Sequence, residues 1–158
     1  MSAAPAWSRR RSLHALGLLA LGRPVWAAGK ALPLSVSLRD ELAVALKARQ
    51  PLVVMVSLHR CPWCEAVRNN YLAPMHAQEG LPVVQVDMRS TAPSRTPVGA
   101  ATTHDALVRG WGVKVAPTLL FLGAGGAEVA ERLVGVATDF YAASLDKRLA
   151  QARQALGG

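Results

Sequence analysis

Cysteine is nearly absent from this chain: there are two in 158 residues, Cys61 and Cys64. Two thiolates cannot hold an iron–sulfur cluster, which takes four. Covalent haem attachment needs a histidine directly after the second cysteine, and Glu65 stands there. A zinc site needs about four ligands, and beyond the N-terminal segment only His59, His76 and His104 are added to the pair, at no recognisable spacing. Aromatic residues are scarce at 5% and form no stripe interleaved with basic residues, so the pattern of a nucleic-acid surface is missing. The glycine-rich Gly123-Ala124-Gly125-Gly126 has neither P-loop nor dinucleotide spacing. There is no internal repeat and no low-complexity segment.

Acidic residues are missing altogether from Met1 to Ala27. That segment reads as an export signal, residues 1–27. Arg9, Arg10 and Arg11 form a basic start, Leu13 to Leu21 a short apolar run, and Ala27 and Ala28 a small-residue cleavage point. The apolar run is interrupted by His14 and Gly17 and is too short to span a bilayer, which takes about 20 residues. No stable membrane insertion is expected after cleavage. Ser8-Arg9-Arg10-Arg11-Ser12-Leu13 also resembles a twin-arginine signal, with Ser12 where phenylalanine is usual, and both export routes stay open. The excess of 18 basic over 10 acidic residues is partly due to this leader, because four of the basic residues (Arg9, Arg10, Arg11, Arg23) lie in it; the remainder carries 14 against 10.

Residues 28–36 read as a linker, with a short strand an option around Leu34 to Val36, and residues 37–156 as one domain. Leu38, Leu42, Ala45 and Leu46 recur at helical spacing behind a capping-box signature of Ser37 and Asp40. Leu52 to Leu58 is an apolar, β-branched run that reads as a buried strand. A helix is expected from Pro62 to about Tyr71, with Pro74 kinking it before a last turn that Gly80 ends. Leu81 to Met88 is a second strand, parallel to the first. Residues 89–102, rich in proline and small polar residues, read as a loop insertion, either a solvated one or one that reaches substrate. Thr103 to Arg109 forms a short helix, after which Trp111 belongs to the core. Thr118 to Leu122 and Glu128 to Val134 form an antiparallel hairpin, and from Thr138 a helix turns Phe140, Leu145, Leu149 and Ala152 to the sheet. This order gives an α/β fold, a mixed central β-sheet flanked by helices.

The buried strand runs directly into Cys61-Pro62-Trp63-Cys64 and then into helix-forming sequence. Cys61 at a helix N-cap would face unpaired N–H groups and the positive dipole end, which stabilise a thiolate, while Pro62 at the first helical position forfeits no hydrogen bond. Cys61 is therefore the reactive sulfur, and Cys64, one turn further in, closes a short disulfide ring with it. A purely structural bridge is the blander reading, weakened because so short a loop constrains the unfolded chain little. Arg60, and His59 when protonated, would lower the thiol pKa, or else are plain exposed loop residues. Trp63 should be an exposed flat docking surface, and Glu65 an acid suited to the helix N-terminus.

Taken with Trp111 to Leu122, which contains Val115-Ala116-Pro117-Thr118, the strand-CPWC-helix stretch resembles the thioredoxin superfamily, most of all exported bacterial thioredoxin-like proteins. The resemblance implies a thioredoxin-like fold, a periplasmic location and a redox-active dithiol with no other cofactor. It implies that Cys61 and Cys64 are catalytic, that Pro117 is cis and lies against the disulfide, and that Ala116 offers backbone hydrogen bonds to an extended substrate. The implied partners are protein disulfides or dithiols and a membrane thiol electron carrier; nucleic acid is not among them, and a monomer is expected. One departure stands out: cytosolic thioredoxins carry a buried acid six residues before the first cysteine, and here that residue is Met55. The departure points to a specialised exported relative. Arg60 and Pro62 lean towards a disulfide-donating oxidase. The missing helical insertion and the missing cationic histidine between the cysteines lean towards a reductase, which is favoured over an oxidase or isomerase. A binding or chaperone module with a vestigial CxxC is the reading from another class.

Overall fold

The structure is a computed structural model that describes Met1, residues 31–136 and residues 140–157. The expected export signal and the expected helix start at Thr138 lie outside the described residues. Strand β1 (Leu52–Ser57) is buried at all six positions, because it sits inside the sheet with helices on both faces. It pairs in parallel with β2 (Val83–Asp87), from Val53 opposite Val83 to Ser57 opposite Asp87. On its other side it pairs antiparallel with β5 (Thr118–Leu122), which hairpins to β6 (Glu128–Val134), so the sheet order is β2-β1-β5-β6. Alternation along the strands sends Val53, Met55, Leu119 and Phe121 to one face and Val54, Val56, Leu120 and Leu122 to the other. The first face packs against Cys64, Val67, Leu72, Leu145 and Leu149; the second packs against Leu38, Leu42, Ala45, Leu107 and Val108. This is the expected thioredoxin-like α/β arrangement.

Helix α1 (Leu38–Lys47) is capped by Ser37, whose hydroxyl accepts the Asp40 N–H at 3.4 Å. The reciprocal acid is Glu41, not Asp40. Its Oε1 accepts the N–H groups of Val36 (2.8 Å) and Ser37 (3.1 Å), and its Oε2 accepts from the Ser35 hydroxyl at 2.7 Å. The segment before it makes one parallel bridge, Leu34 to Gln85, rather than a strand. The active-site helix runs as α2 (Pro62–Val67), a π-turn (Arg68–Leu72) and α3 (Ala73–Glu79). Pro74 lacks an N–H and would press on the carbonyl four residues back, and the widened turn before it, closed by the Ala73 N–H on the Arg68 carbonyl, relieves that contact. Gly80 then stops the helix at φ 69°.

The segment expected as a loop over residues 89–102 contains a two-stranded hairpin, β3 (Pro93–Arg95) with β4 (Ala101–Thr103). Ser94 is buried against Ser35, and the tip is packed tightly: a Cβ on Gly126 would lie 2.4 Å from Pro97 Cγ. Gly126 follows Leu122, which pairs with Leu52 at the end of the sheet remote from Cys61. The tip therefore lies away from Cys61, and of this segment Arg89 and Ser90 at the base are near the cysteines. Helix α4 (His104–Gly110) follows, capped by Thr103, and its buried His104 clamps two distant backbones. Nδ1 accepts the Asp87 N–H at 3.1 Å, which makes Nε2 the donor to the Ser35 carbonyl at 2.8 Å. Trp111 packs, as expected, on the second face of the core.

Helix α5 (Tyr141–Ala155) buries Tyr141, Leu145, Leu149 and Ala152. Phe140 does not join them. It is the N-cap residue and 76% exposed, one position out of register with the buried stripe, which begins at Tyr141. Among the described residues the buried Tyr141 hydroxyl has no hydrogen-bond partner, its ring is 5.0 Å from that of Tyr71, and burial pushes its pKa above the ordinary tyrosine range. A raised folded-state pKa contributes stability below the unfolded value, about 10, that is lost as pH rises past it, at about 1.4 kcal/mol per pH unit. Tyr141→Phe is therefore expected to be neutral or to stabilise by up to about 1 kcal/mol at pH 7 and to flatten the alkaline decline. Urea unfolding at pH 7 and pH 11 checks both; a clear loss at pH 7 would mean that the hydroxyl has a partner.

Candidate active site

The end of β1 delivers Leu58-His59-Arg60 into the turn that presents the cysteines, with Arg60 at φ 56°. Cys61 is the N-cap of α2, with extended backbone, and its Sγ accepts the Cys64 N–H at 3.1 Å. Pro62 occupies the first helical position. Cys61 and Cys64 are joined as a disulfide, with Cα atoms 5.2 Å apart. The two sulfurs differ in surroundings: Cys61 is half-buried, whereas Cys64 is fully buried in the apolar cluster that also holds Met55, Val67 and Phe121. An N–H aimed at Sγ of Cys61 stabilises negative charge on that atom, and nothing equivalent serves Cys64.

Pro117, 53 positions after Cys64 in sequence, comes back to this pair because β5 lies beside β1. The Ala116–Pro117 peptide is cis, and the Ala116 carbonyl oxygen lies 4.0 Å from Cys61 Sγ. The sulfur carries no proton in the disulfide, so this is proximity; a Cys61 S–H in the dithiol would donate there. The loop is pinned from both sides, since the Thr118 hydroxyl donates to the Val115 carbonyl at 2.7 Å and the Gly135 N–H to the Pro117 carbonyl at 2.8 Å. Trp63, Val115, Ala116, Pro117, Gly135 and Val136 line an apolar groove of about 230 Å³. Trp63 is 60% exposed at its edge.

His59, Arg60 and Glu65 are exposed and stand on the other side of Cys61, along a cleft of about 650 Å³. Arg68, Gln85, Asp87, Arg89 and Ser90 complete its lining; Arg89 and Ser90 begin the segment that sequence reasoning gave the option of reaching substrate, and the other three it did not bring to the site. A signal existed: Ser57 pairs with Asp87, so a parallel β2 must release Asp87 to Ser90 next to the turn that carries Cys61. Among the described residues no group of three or more His, Cys, Asp or Glu is placed to hold a metal ion.

Solved structures share this architecture. The DsbH oxidoreductase is 18% identical, with a TM-score of 0.51 over 88% of this chain and 92% of that one. Thioredoxin NaTrxh from Nicotiana alata is 18% identical, with a TM-score of 0.50 over 75% and 96%. The periplasmic thioredoxin SoxS from Paracoccus pantotrophus is 21% identical, with a TM-score of 0.45 over 65% and 99%. At such identities the first two likenesses show a common fold and nothing finer. No curated protein matches the sequence. The family described as thioredoxin-like domain matches residues 38–152, most of the chain and all of the site built above, so with its Cys61–Cys64 disulfide the protein belongs to that thioredoxin-like family.

Proposed function

We propose that the protein is an exported, periplasmic thiol–disulfide oxidoreductase that reduces protein disulfides. The observation that carries the reading is the asymmetric pair: a half-exposed Cys61 at an N-cap facing Ala116 and Pro117, backed by a buried Cys64. In the reduced state the Cys61 thiolate attacks one sulfur of a substrate disulfide, forming a mixed disulfide and expelling the other sulfur as a thiolate. The Cys64 thiolate then attacks Cys61 Sγ. That step releases the second substrate thiolate and leaves the enzyme disulfide, with two electrons passed to substrate. A membrane thiol electron carrier returns the pair to the dithiol. Trp63, Pro117 and the Ala116 backbone bound the groove where an extended substrate segment lies, and Arg60 and His59 favour the Cys61 thiolate.

Reduction is favoured over oxidation because the segment between β2 and α4 carries a short hairpin rather than a helical domain, and because the residues between the cysteines are Pro62 and Trp63, with no cation. The acid-free leader supports export. The test is reduction of insulin by the full chain with a dithiol as electron source, together with its equilibrium potential against glutathione. A potential near that of thioredoxin, about −270 mV, is expected; one near that of DsbA, about −120 mV, would reverse the assignment to an oxidase. Inactivity of the wild type, equal to that of Cys61→Ser, would point instead to a binding module.

A further inference from the structure

Cys61 is approached from two sides of opposite character. The groove at Pro117 is apolar, while the cleft towards β2 is polar, concave and of a volume typical of small-ligand sites, about 300–1,000 Å³. Three arginines line that cleft, Arg60, Arg68 and Arg89. Arg68, half-buried, donates through Nε to Gln85 Oε1 (2.8 Å) and through Nη2 to the Ser57 hydroxyl (3.2 Å), both neutral acceptors. Among the described residues none of the three pairs with a carboxylate, whereas Arg39, Arg109, Arg132 and Arg148 each do. The other charges facing the cleft are Glu65, Asp87 and, when protonated, His59. Asp87 is engaged, its Oδ1 accepting from Gln85 Nε2 at 2.7 Å, and the balance stays cationic.

The backbone supplies a second, independent observation. Arg60 has φ 56° and Arg89 φ 60°, in the left-handed region that favours glycine; Arg49, beyond the end of α1 and away from the cleft, shares it at φ 55°. The Arg89 turn is held by its N–H on Asp105 Oδ1 at 3.0 Å. Both rims of the cleft thus keep an arginine where glycine would relieve strain, two of the three such positions among the described residues.

We propose that this cleft is a subsite for a low-mass anionic disulfide, one whose carboxylates are taken by Arg60, Arg68 and Arg89 while its sulfur meets Cys61. Guanidiniums match carboxylates with paired N–H donors, and a concave cationic wall raises the local concentration of anions. The proposal rests on Cys61 being the attacking sulfur of the reductase described above. The chemistry is the same exchange: Cys61 takes one half of the small disulfide, the other half leaves as a carboxylate-bearing thiolate, Cys64 releases the first half, and a dithiol donor restores the pair.

Two measurements on the full chain test it. In the first, the reduced protein is alkylated with anionic iodoacetate and with neutral iodoacetamide, and the ratio of Cys61 rates is normalised to that of a free small thiol. The wild-type ratio is expected to exceed the reference by roughly tenfold at low salt and to shrink as salt is added. Arg89→Gly, which eases its own backbone, should lower the ratio severalfold, Arg68→Gln with Arg89→Gly should bring it close to the reference, and Arg153→Gln on α5 should leave it unchanged. A ratio equal in wild type and double variant overturns the subsite, and this readout needs no disulfide turnover. In the second, dithiodiglycolate should be reduced faster than cystamine in wild type by a margin that the double variant loses; equal margins count against the proposal. Inactivity on every disulfide with a high alkylation ratio would instead sink the reductase and leave the anion cleft standing.

Discussion

Cys61→Ser is expected to bring insulin reduction down to the uncatalysed background, a loss on the order of a thousandfold or more, because it removes the only sulfur that substrate can reach. Cys64→Ser should behave differently. The first attack survives in it, since Cys61 keeps its half-exposed place at the N-cap, and the backbone N–H of residue 64 that points at Cys61 Sγ is retained. Resolution fails, so one equivalent of mixed disulfide accumulates and turnover stops, which mass spectrometry of the protein after mixing with a disulfide substrate would record. Both variants lose the same short bridge. A ring closed over a sequence separation of 3 is worth about 2 kcal/mol in the chain-entropy account, so a shared loss of stability is expected and cannot explain a difference in behaviour between them. Accumulation of the adduct in Cys61→Ser rather than in Cys64→Ser would exchange the two roles, and unchanged turnover in either variant would remove the dithiol from the mechanism.

What could be read from sequence divides by range. Cys61 as N-cap and Pro62 at the first helical turn are local features, set by neighbours within four residues, and the structure places both there. The apolar run from Leu52 to Val56 in β1 announced a buried strand. Phe140 and Glu41 show the limit of periodicity: a shift of one position decides whether Phe140 or Tyr141 starts the buried stripe, and whether Asp40 or Glu41 reaches back to the cap, and composition is the same either way. The hairpin in residues 89–102 hid for another reason. Pro93, Pro97 and Gly99 read as breakers, yet Pro93 starts an edge strand, where a missing N–H costs little, and Gly99 sits at the tip with φ 91°. Pro117 was placed at the cysteines by resemblance alone, since no local property of Val115 to Thr118 says where the chain returns. Arg89 was legible only as the start of a segment leaving the strand edge near Cys61, and Arg68 was not legible at all, since its place beside Arg89 follows from how the active-site helix packs over the paired β1 and β2.

Met55→Asp, which restores the acid of cytosolic thioredoxins at its own position, is expected to cost about 3–5 kcal/mol of stability while changing how Cys64 is deprotonated. Met55 has no exposed surface and packs in β1 within the cluster of Cys64, Val67, Leu119 and Phe121. A carboxyl there loses the thioether's contacts and is buried among mostly apolar side chains, which accounts for the cost. The same burial gives it a use. Cys64 must lose its proton in an apolar pocket, and the nearest acid in sequence, Glu65, is exposed, so in the wild type water, hydroxide or Glu65 has to serve. Resolution of the mixed disulfide should therefore climb with pH in the wild type, up to the thiol's own titration, and in Met55→Asp should be faster at neutral pH and nearly level. Single-turnover rates across pH, read beside guanidinium unfolding of the oxidised protein, separate the two effects. Met55→Leu is the control: a volume-conserving apolar exchange should cost less than about 1.5 kcal/mol and leave the profile as it was. An aspartate variant as stable as the wild type would show that the pocket is wetter than its packing implies. One that is destabilised yet keeps the wild-type pH profile would show that Cys64 has a base of its own.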